Sequence, residues 1–393
     1  MKLHPRQKLF LTVFLGVMTA MAPLSTDMYL PALPELSGDF GISASLTQMT
    51  LTMTMLGMAL GQIFMGPLSD RFGRKKPLLL GMLVFTAASV GAHQSADIVP
   101  FLVFRFLQGF SGASGIVIAR AIARDVVEGP ALTRFFAVLM LVNGLAPIAA
   151  PVVGGQVLRF TSWRGIFALL VIVGIAQTVA TITYRETLKP EERIKSVAQS
   201  FAKFPVLLRD RYFCGHCLLQ FFFFGSFFSY IGGSSFVFQN VYHVSAQAYS
   251  LIFGGIGVGL FLAGALPARL AGRVRDEAML KVSLIIPLIG SLLLLAGFLC
   301  TAPLWYAVLA LFVTIVPLSV MGTASFSLAL SREGKYAGSA SALLGFSQMI
   351  LGGAMMPLVG IAGPDNPLPM AVLMLAGYTL SLLVYSTMIR SRS

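Results

Sequence analysis

Apolar positions in this chain neither alternate nor recur once per helical turn; they run continuously. Twelve stretches, at 9–33, 47–69, 77–95, 99–121, 133–156, 164–184, 212–237, 247–269, 278–299, 304–326, 337–361 and 368–389, are apolar almost throughout and are separated by short polar connections. A helix rising ~1.5 Å per residue over each of them crosses a hydrocarbon core of ~30 Å. The pattern therefore predicts an all-α membrane protein of twelve transmembrane helices. Six stretches precede the one long polar connection and six follow it. That predicts two six-helix pseudo-repeats, an N-terminal half over 1–184 and a C-terminal half over 212–393, joined by a cytoplasmic linker over 185–211.

Composition agrees with the class, since 56% of residues are hydrophobic and only 11% charged. A soluble domain cannot hide that much apolar surface. Charge adds the orientation. With the N-terminus placed in the cytoplasm, all but three of the 28 Lys and Arg residues fall in cytoplasmic connections or termini; Arg159 and Arg164 lie outside and Arg105 lies within the fourth span. Such an asymmetry predicts that both termini are cytoplasmic. The net charge of +13 then belongs to loops facing anionic lipid and implies no nucleic-acid partner. The first 22 residues resemble a signal peptide, but no small-x-small cleavage site follows and the apolar run continues, so they read as an uncleaved first span. Cys214-Gly-His-Cys217 has redox-motif spacing but sits at the mouth of the seventh span without a βαβ pattern, and the cysteines read as ordinary helix residues. There is no cluster with metal-ligand spacing, no Walker-type string and no nucleophile–base pair. The reading is of a protein that is not an enzyme and needs no cofactor.

Asp27 changes the picture most. It is the one carboxylate of the fifteen that lies deep in an apolar stretch. An ionised carboxylate there is costly unless paired, hydrated or protonated, so its retention points to use of its proton. Arg105 is the matching oddity in the fourth span. A guanidinium cannot be neutralised in a membrane and must find carbonyls, water or an acid. The two residues lie at similar depth, and the sequence leaves open whether they touch.

Three strings surround these residues. The connection between spans two and three reads Gly66-Pro-Leu-Ser-Asp70-Arg71-Phe-Gly73-Arg74-Lys75, with Gly73 suited to a sharp reversal through positive φ and Asp70 set among basic residues. Span four carries Leu102, Arg105, Gln108, Gly109, Gly112 and Ala113, a glycine-rich face that admits a close helix neighbour. Span five carries Gly144, Pro147, Pro151, Gly154 and Gly155, which weaken its hydrogen-bond ladder. The first string resembles the GxLaDrxGrkxxl signature of the major facilitator superfamily. The second resembles that family's LxxxRxxQGxgaa motif, associated with proton transfer. The third resembles its antiporter motif gxxxGPxxGG, with Ala150 departing from the usual glycine. Residues Arg269, Gly272 and Arg273 after span eight form a degenerate echo of the first string. Pro23 to Pro34 around Asp27, Gln48-Met-Thr-Leu, Ala150-Pro-Val-Val-Gly-Gly and Trp163 together resemble the bicyclomycin-resistance (Bcr/CflA) type of drug:proton antiporter.

The resemblance implies the major facilitator fold, with inverted three-helix repeats in each half and a substrate site near the midplane. It implies a multidrug efflux protein of the cytoplasmic (inner) membrane, a monomer exporting small apolar or amphiphilic compounds against protons. Asp27 and Arg105 would couple protons, Gly66, Asp70, Arg71, Gly73 and Arg74 would form a cytoplasmic latch, and membrane lipid, protons and a small-molecule substrate would be the only partners. Tyr29, Gln108, Asn143, Phe221, Phe224 and Phe228 are candidate cavity residues, the three phenylalanines because they share one face of span seven. The second half holds no embedded formal charge, so coupling is expected in the first. Proton-coupled uptake or export of a single metabolite would use the same Asp27, a passive facilitator would leave it without a role, and a membrane enzyme or receptor lacks supporting residues.

Overall fold

The computed structural model describes residues 5–126, 129–194, 204–270, 272–331 and 337–389, and among these every regular element is helical. Part of the linker expected at 185–211, residues 195–203, lies outside the described residues. The elements are α1 (Pro5–Thr19), α2 (Met21–Thr26), a 3-10 turn (Leu30–Ala32), α3 (Leu33–Phe40), α4 (Ala44–Phe72), α5 (Lys75–Gln94), α6 (Ile98–Val126), α7 (Gly129–Val157) and α8 (Trp163–Thr183). They continue with α9 (Phe204–Arg209), α10 (Arg211–Phe236), α11 (Ala246–Ala263), α12 (Leu266–Leu270), α13 (Asp276–Leu299), α14 (Leu304–Ile315), α15 (Leu318–Ser331), α16 (Ala337–Val359) and α17 (Leu368–Val384).

Among the described residues ten helices or joined helix pairs are long and apolar enough to cross a membrane, and a bent first pair makes eleven. With α7, 29 residues long, the set reaches twelve. The first span, expected over 9–33, is bent at Ala20 and is interrupted again after Thr26, where α2 ends. Phe10–Thr19 and Met21–Phe40 meet at 49°. Pro23, Pro31 and Pro34 remove backbone donors over this stretch. Ser25 and Thr26 add hydroxyl bonds to the carbonyls of Met21 and Ala22, at 2.7 and 2.9 Å, which compete with the helical ladder.

Packing divides the chain into two compact units, one of 1–35 and 53–200, the other of 36–52 and 201–393. In the first, α5 packs along α6 and α8, and α1 and α2 pack against α6 and α7. In the second, α10 is gripped by α16 and α17, while α13 packs on α14, α15 and α17. The N-terminal end of α4 belongs to this second unit, where Gln48 Nε2 donates to the Gly232 carbonyl at 3.0 Å and Ser45 Oγ to that of Pro357 at 2.7 Å.

Small residues bring the backbones of the first unit together. A Cβ added at Gly57 or Gly61 of α4 would overlap the Phe106 or Phe110 carbonyl of α6, and one at Gly109 would overlap the Thr54 carbonyl. The Gly57-x-x-x-Gly61 spacing is that of a close helix crossing in lipid.

Candidate functional site

Asp27 stands at the end of α2, where the helix stops and its last carbonyls lose their intrahelical partners. The residue is 7% exposed, and its Oδ1 lies 2.9 Å from Thr26 Oγ1, whose one hydrogen is shared between this carboxylate and the Ala22 carbonyl. Arg105 of α6 is fully buried. Its Nη2 donates to the Ser25 carbonyl at 2.9 Å, and its Nη1 donates to Gln108 Oε1. Gln108 in turn donates to Ser89 Oγ of α5 at 2.8 Å. The guanidinium carbon lies 4.9 Å from the Tyr29 ring centre and 5.4 Å from that of Phe167, within cation–π range. Phe101 and Trp163 complete the aromatic packing, with Phe101–Trp163 centroids 5.4 Å apart.

Arg105 thus reaches the stretch that carries Asp27 through a main-chain carbonyl rather than through the carboxylate, and no ion pair joins the two. Of the options a membrane arginine has, this one has taken a carbonyl, an amide and two aromatic faces. A cation at the C-terminal end of a broken helix also opposes the partial negative charge there. Tyr29 and Gln108, candidates for the cavity wall, serve here as partners of Arg105. The same stretch also meets α7: a Cβ at Gly154 would overlap the Met28 carbonyl oxygen. Pro147 and Pro151 lie inside α7, which nevertheless runs continuously through them. The side chain of Asn143 lies outside the described residues.

A second cluster lies where α4 turns into α5. Gly73 adopts φ +89°, the conformation the tight reversal demands. Arg74 Nε donates to Asp125 Oδ2 at 2.8 Å, and Nη1 donates to Ser69 Oγ at 2.9 Å and to Asp70. Arg71 is not part of this cluster; its guanidinium lies 5.2 Å over the Phe72 ring. Gly66 faces Val117 of α6 at ordinary contact distance. The degenerate echo keeps the turn geometry, with Gly272 at φ +76°.

Two members of this cluster escaped the sequence reading. Asp125 sits at the end of α6, where nothing in its neighbours marks it. Glu186 follows α8 and accepts from the backbone N–H of Arg74 at 2.9 Å and of Lys75 at 3.0 Å, at the start of α5. It also accepts from Thr187 and Leu188 N–H, each at 3.0 Å. Partial burial opposes ionisation of Glu186, but the four backbone donors outweigh it and hold its pKa below the usual glutamate value. For Arg74, burial opposes the charge while Asp125 and Asp70 more than restore it, leaving its pKa above the usual arginine value. A side chain at Gly73 would run into the Glu186 carboxylate, a second reason for glycine there.

In the second unit the aromatic run of α10 is split by packing. Phe228 abuts Gly352 of α16, Phe224 lies 6.3 Å from Phe228, and Phe221 stacks edge-on with its neighbour Phe222 at 5.2 Å. Phe223, not singled out from sequence, is the fully buried member and packs 4.8 Å from Tyr378.

These features match known proteins. The profile of the Major Facilitator Superfamily matches residues 15–357. An uncharacterized MFS-type transporter of Bacillus subtilis, YdgK, is 36% identical over 98% of this chain and 97% of its own length. A bicyclomycin resistance protein homolog of Haemophilus influenzae is 31% identical over 94% of both chains. A chloramphenicol resistance protein of Pseudomonas aeruginosa is 28% identical over 70% of this chain and 65% of its own. Among solved structures, the xylose transporter XylE from E. coli superposes with a TM-score of 0.74 at 15% identity, covering 97% of both chains. A bacterial homolog of the human lysosomal transporter Spinster gives 0.74 at 16% identity over 98% of both. At those identities the structures speak for the fold alone. The chain is a multi-pass membrane protein of the Major Facilitator Superfamily, a family of transporters and not of enzymes.

Proposed function

We propose that the protein is a multidrug antiporter of the bacterial inner membrane, exporting small apolar or amphiphilic compounds in exchange for protons, with both termini in the cytoplasm. The observation that carries this reading is the Asp27 carboxylate, buried at the break of the first span and flanked by the carbonyl that Arg105 holds. A carboxylate at such a break changes its charge as the break gains or loses water, and the backbone there has fewer ladder bonds to lose when it moves. Arg105 keeps a fixed positive charge beside it. Arg74, Asp70, Asp125 and Glu186 hold the α4–α5 turn and act as the latch, which opens by breaking the Arg74–Asp70 ion pair. The bicyclomycin and chloramphenicol resistance relatives support neutral antibiotics as the substrate class.

The test is transport in proteoliposomes under an imposed pH gradient, with bicyclomycin, a phenicol, a cationic dye and a panel of amino acids. Gradient-driven movement of several unrelated compounds, lost in Asp27→Asn, is the expected result. Movement of one polar metabolite only would replace the multidrug reading with that of a specific carrier, and movement without proton flux would remove Asp27 from the mechanism.

A further inference from the structure

The interior of the second unit carries a titratable side chain that the coupling scheme above leaves unused. His216 lies near the start of α10, at the end that the proposed orientation places at the cytoplasm, and is fully buried. Its Nδ1 is 2.9 Å from Ser325 Oγ of α15. Ser325 Oγ also accepts from Gln220 Nε2 at 3.1 Å, and Gln220 Oε1 accepts from Gln348 Nε2 of α16 at 2.6 Å. Four polar side chains therefore link three helices in one chain of hydrogen bonds.

The amide donors fix the chain as far as Ser325, with Gln348 and Gln220 each donating an N–H to the next member. Ser325 Oγ has two lone pairs and one hydrogen, so it donates to Nδ1 or accepts from it according to which ring nitrogen carries the hydrogen. In the tautomer with its hydrogen on Nε2, Ser325 donates to Nδ1 and an added proton enters there. Once it does, Nδ1–H donates to Ser325 Oγ, which now accepts from both His216 and Gln220, and the serine hydrogen must turn to another acceptor. A single proton thus reverses the hydrogen bond between α10 and α15 and leaves a cation in the helix interior. Burying such a group costs more than burying an apolar one, and a network of this kind is consequential only when its members change partners.

We propose that His216 is a second proton-binding group of the transporter, and that its proton sets how α15 and α16 are tied to α10. The proposal rests on the proton-coupled reading. Tyr212, on the same helix, meets the imidazole ring edge-on at 4.8 Å, and Cys217 follows in sequence. Ser325 faces it from α15, and Gln348 from α16 through Gln220. On α17, Tyr378 packs on Phe223, and the turn after α17 carries Tyr385. Among the described residues, the charged side chains of these and adjoining elements are engaged elsewhere or exposed. Asp210 accepts from the Tyr212 N–H, Arg211 donates to the Thr387 carbonyl, and Asp276 of α13 accepts from Ser327. Arg209 on α9 and Lys281 on α13 are exposed.

Reconstituted wild type, Asp27→Asn, His216→Gln and Ser325→Ala decide the matter through two readouts, each normalised to the variant's own substrate counterflow. These are protons moved per substrate, followed with a trapped pH dye, and the dependence of rate on internal pH. His216→Gln is expected to move fewer protons per substrate and to flatten the internal-pH profile. Ser325→Ala, which keeps the imidazole but removes its partner, is expected to displace that profile; it carries the test if His216→Gln fails to assemble. A proton ratio and profile equal to wild type in His216→Gln, or an undisplaced profile in Ser325→Ala, overturns the proposal alone. Absence of proton movement in wild type overturns the antiport reading and this proposal with it.

Discussion

Arg105 of α6 donates from Nη2 to the Ser25 main-chain oxygen, 2.9 Å away and two residues before Asp27. A fixed cation therefore grips the backbone at the break rather than the carboxylate itself. Arg105→Ala removes the guanidinium donor from that carbonyl and from the Gln108 amide oxygen, which costs about 1–3 kcal/mol for each buried group. Arg105→Lys keeps the charge but cannot bridge both. Gradient-driven transport should fall at least about tenfold further in the alanine variant. Equal rates in the two would make Arg105 a packing residue.

Asp27→Asn preserves shape and the Thr26 contact while removing the titrating group. Counterflow measured without a gradient should survive and gradient-driven export should be lost. Dye efflux at the wild-type rate in cells carrying Asp27→Asn would rule out the assigned role.

Gly73→Val should arrest transport with the protein still inserted. Positive φ costs an L-residue about 1–2 kcal/mol, and the new side chain must also displace Glu186. Detergent-solubilised yield near wild type with transport lost is the expected pair of results. Full activity would mean that the reversal tolerates a β-branched residue and that the Glu186 contact is dispensable.

Glu186→Gln tests the linker side of the latch by pH. The pKa of Glu186 is held below its ordinary value, so its contribution is present above that value and is lost only as pH falls through the lowered one. Between about pH 5.5 and 8 the carboxylate stays ionised. The variant should therefore lower the rate by a similar factor across this range. A rate deficit that vanishes at the acidic end would show that Glu186 titrates during transport.

Sequence legibility follows the scale of the interaction. Spanning length is a sum over twenty residues, so the helices were readable, as was the turn at Gly73, where one backbone angle dictates the residue. The break at Asp27 was missed although Pro23, Pro31 and Pro34 were in view, because mean hydropathy is blind to the hydrogen-bond ladder. Arg105's need for carbonyls was foreseeable, but the choice of Ser25 depends on where α2 ends. Asp125 and Glu186 went unseen because each works through a partner far away in sequence, at residue 74 or 75. His216 was overshadowed by the two cysteines that flank it.

The meeting of α4 and α6 at Gly57, Gly61 and Gly109 bears on how variation in this chain should be interpreted. These three positions admit no side chain, so a saturation survey would mark them as intolerant as Asp27, though a glycine has no group that could carry a proton. The two kinds of intolerance separate by what they scale with. At the glycines the damage should grow with the volume added and appear first as protein lost from the membrane. At Asp27 it should follow charge alone, in protein made at the normal level. A plot of fitness against side-chain volume would therefore divide scaffold from machinery without any transport measurement.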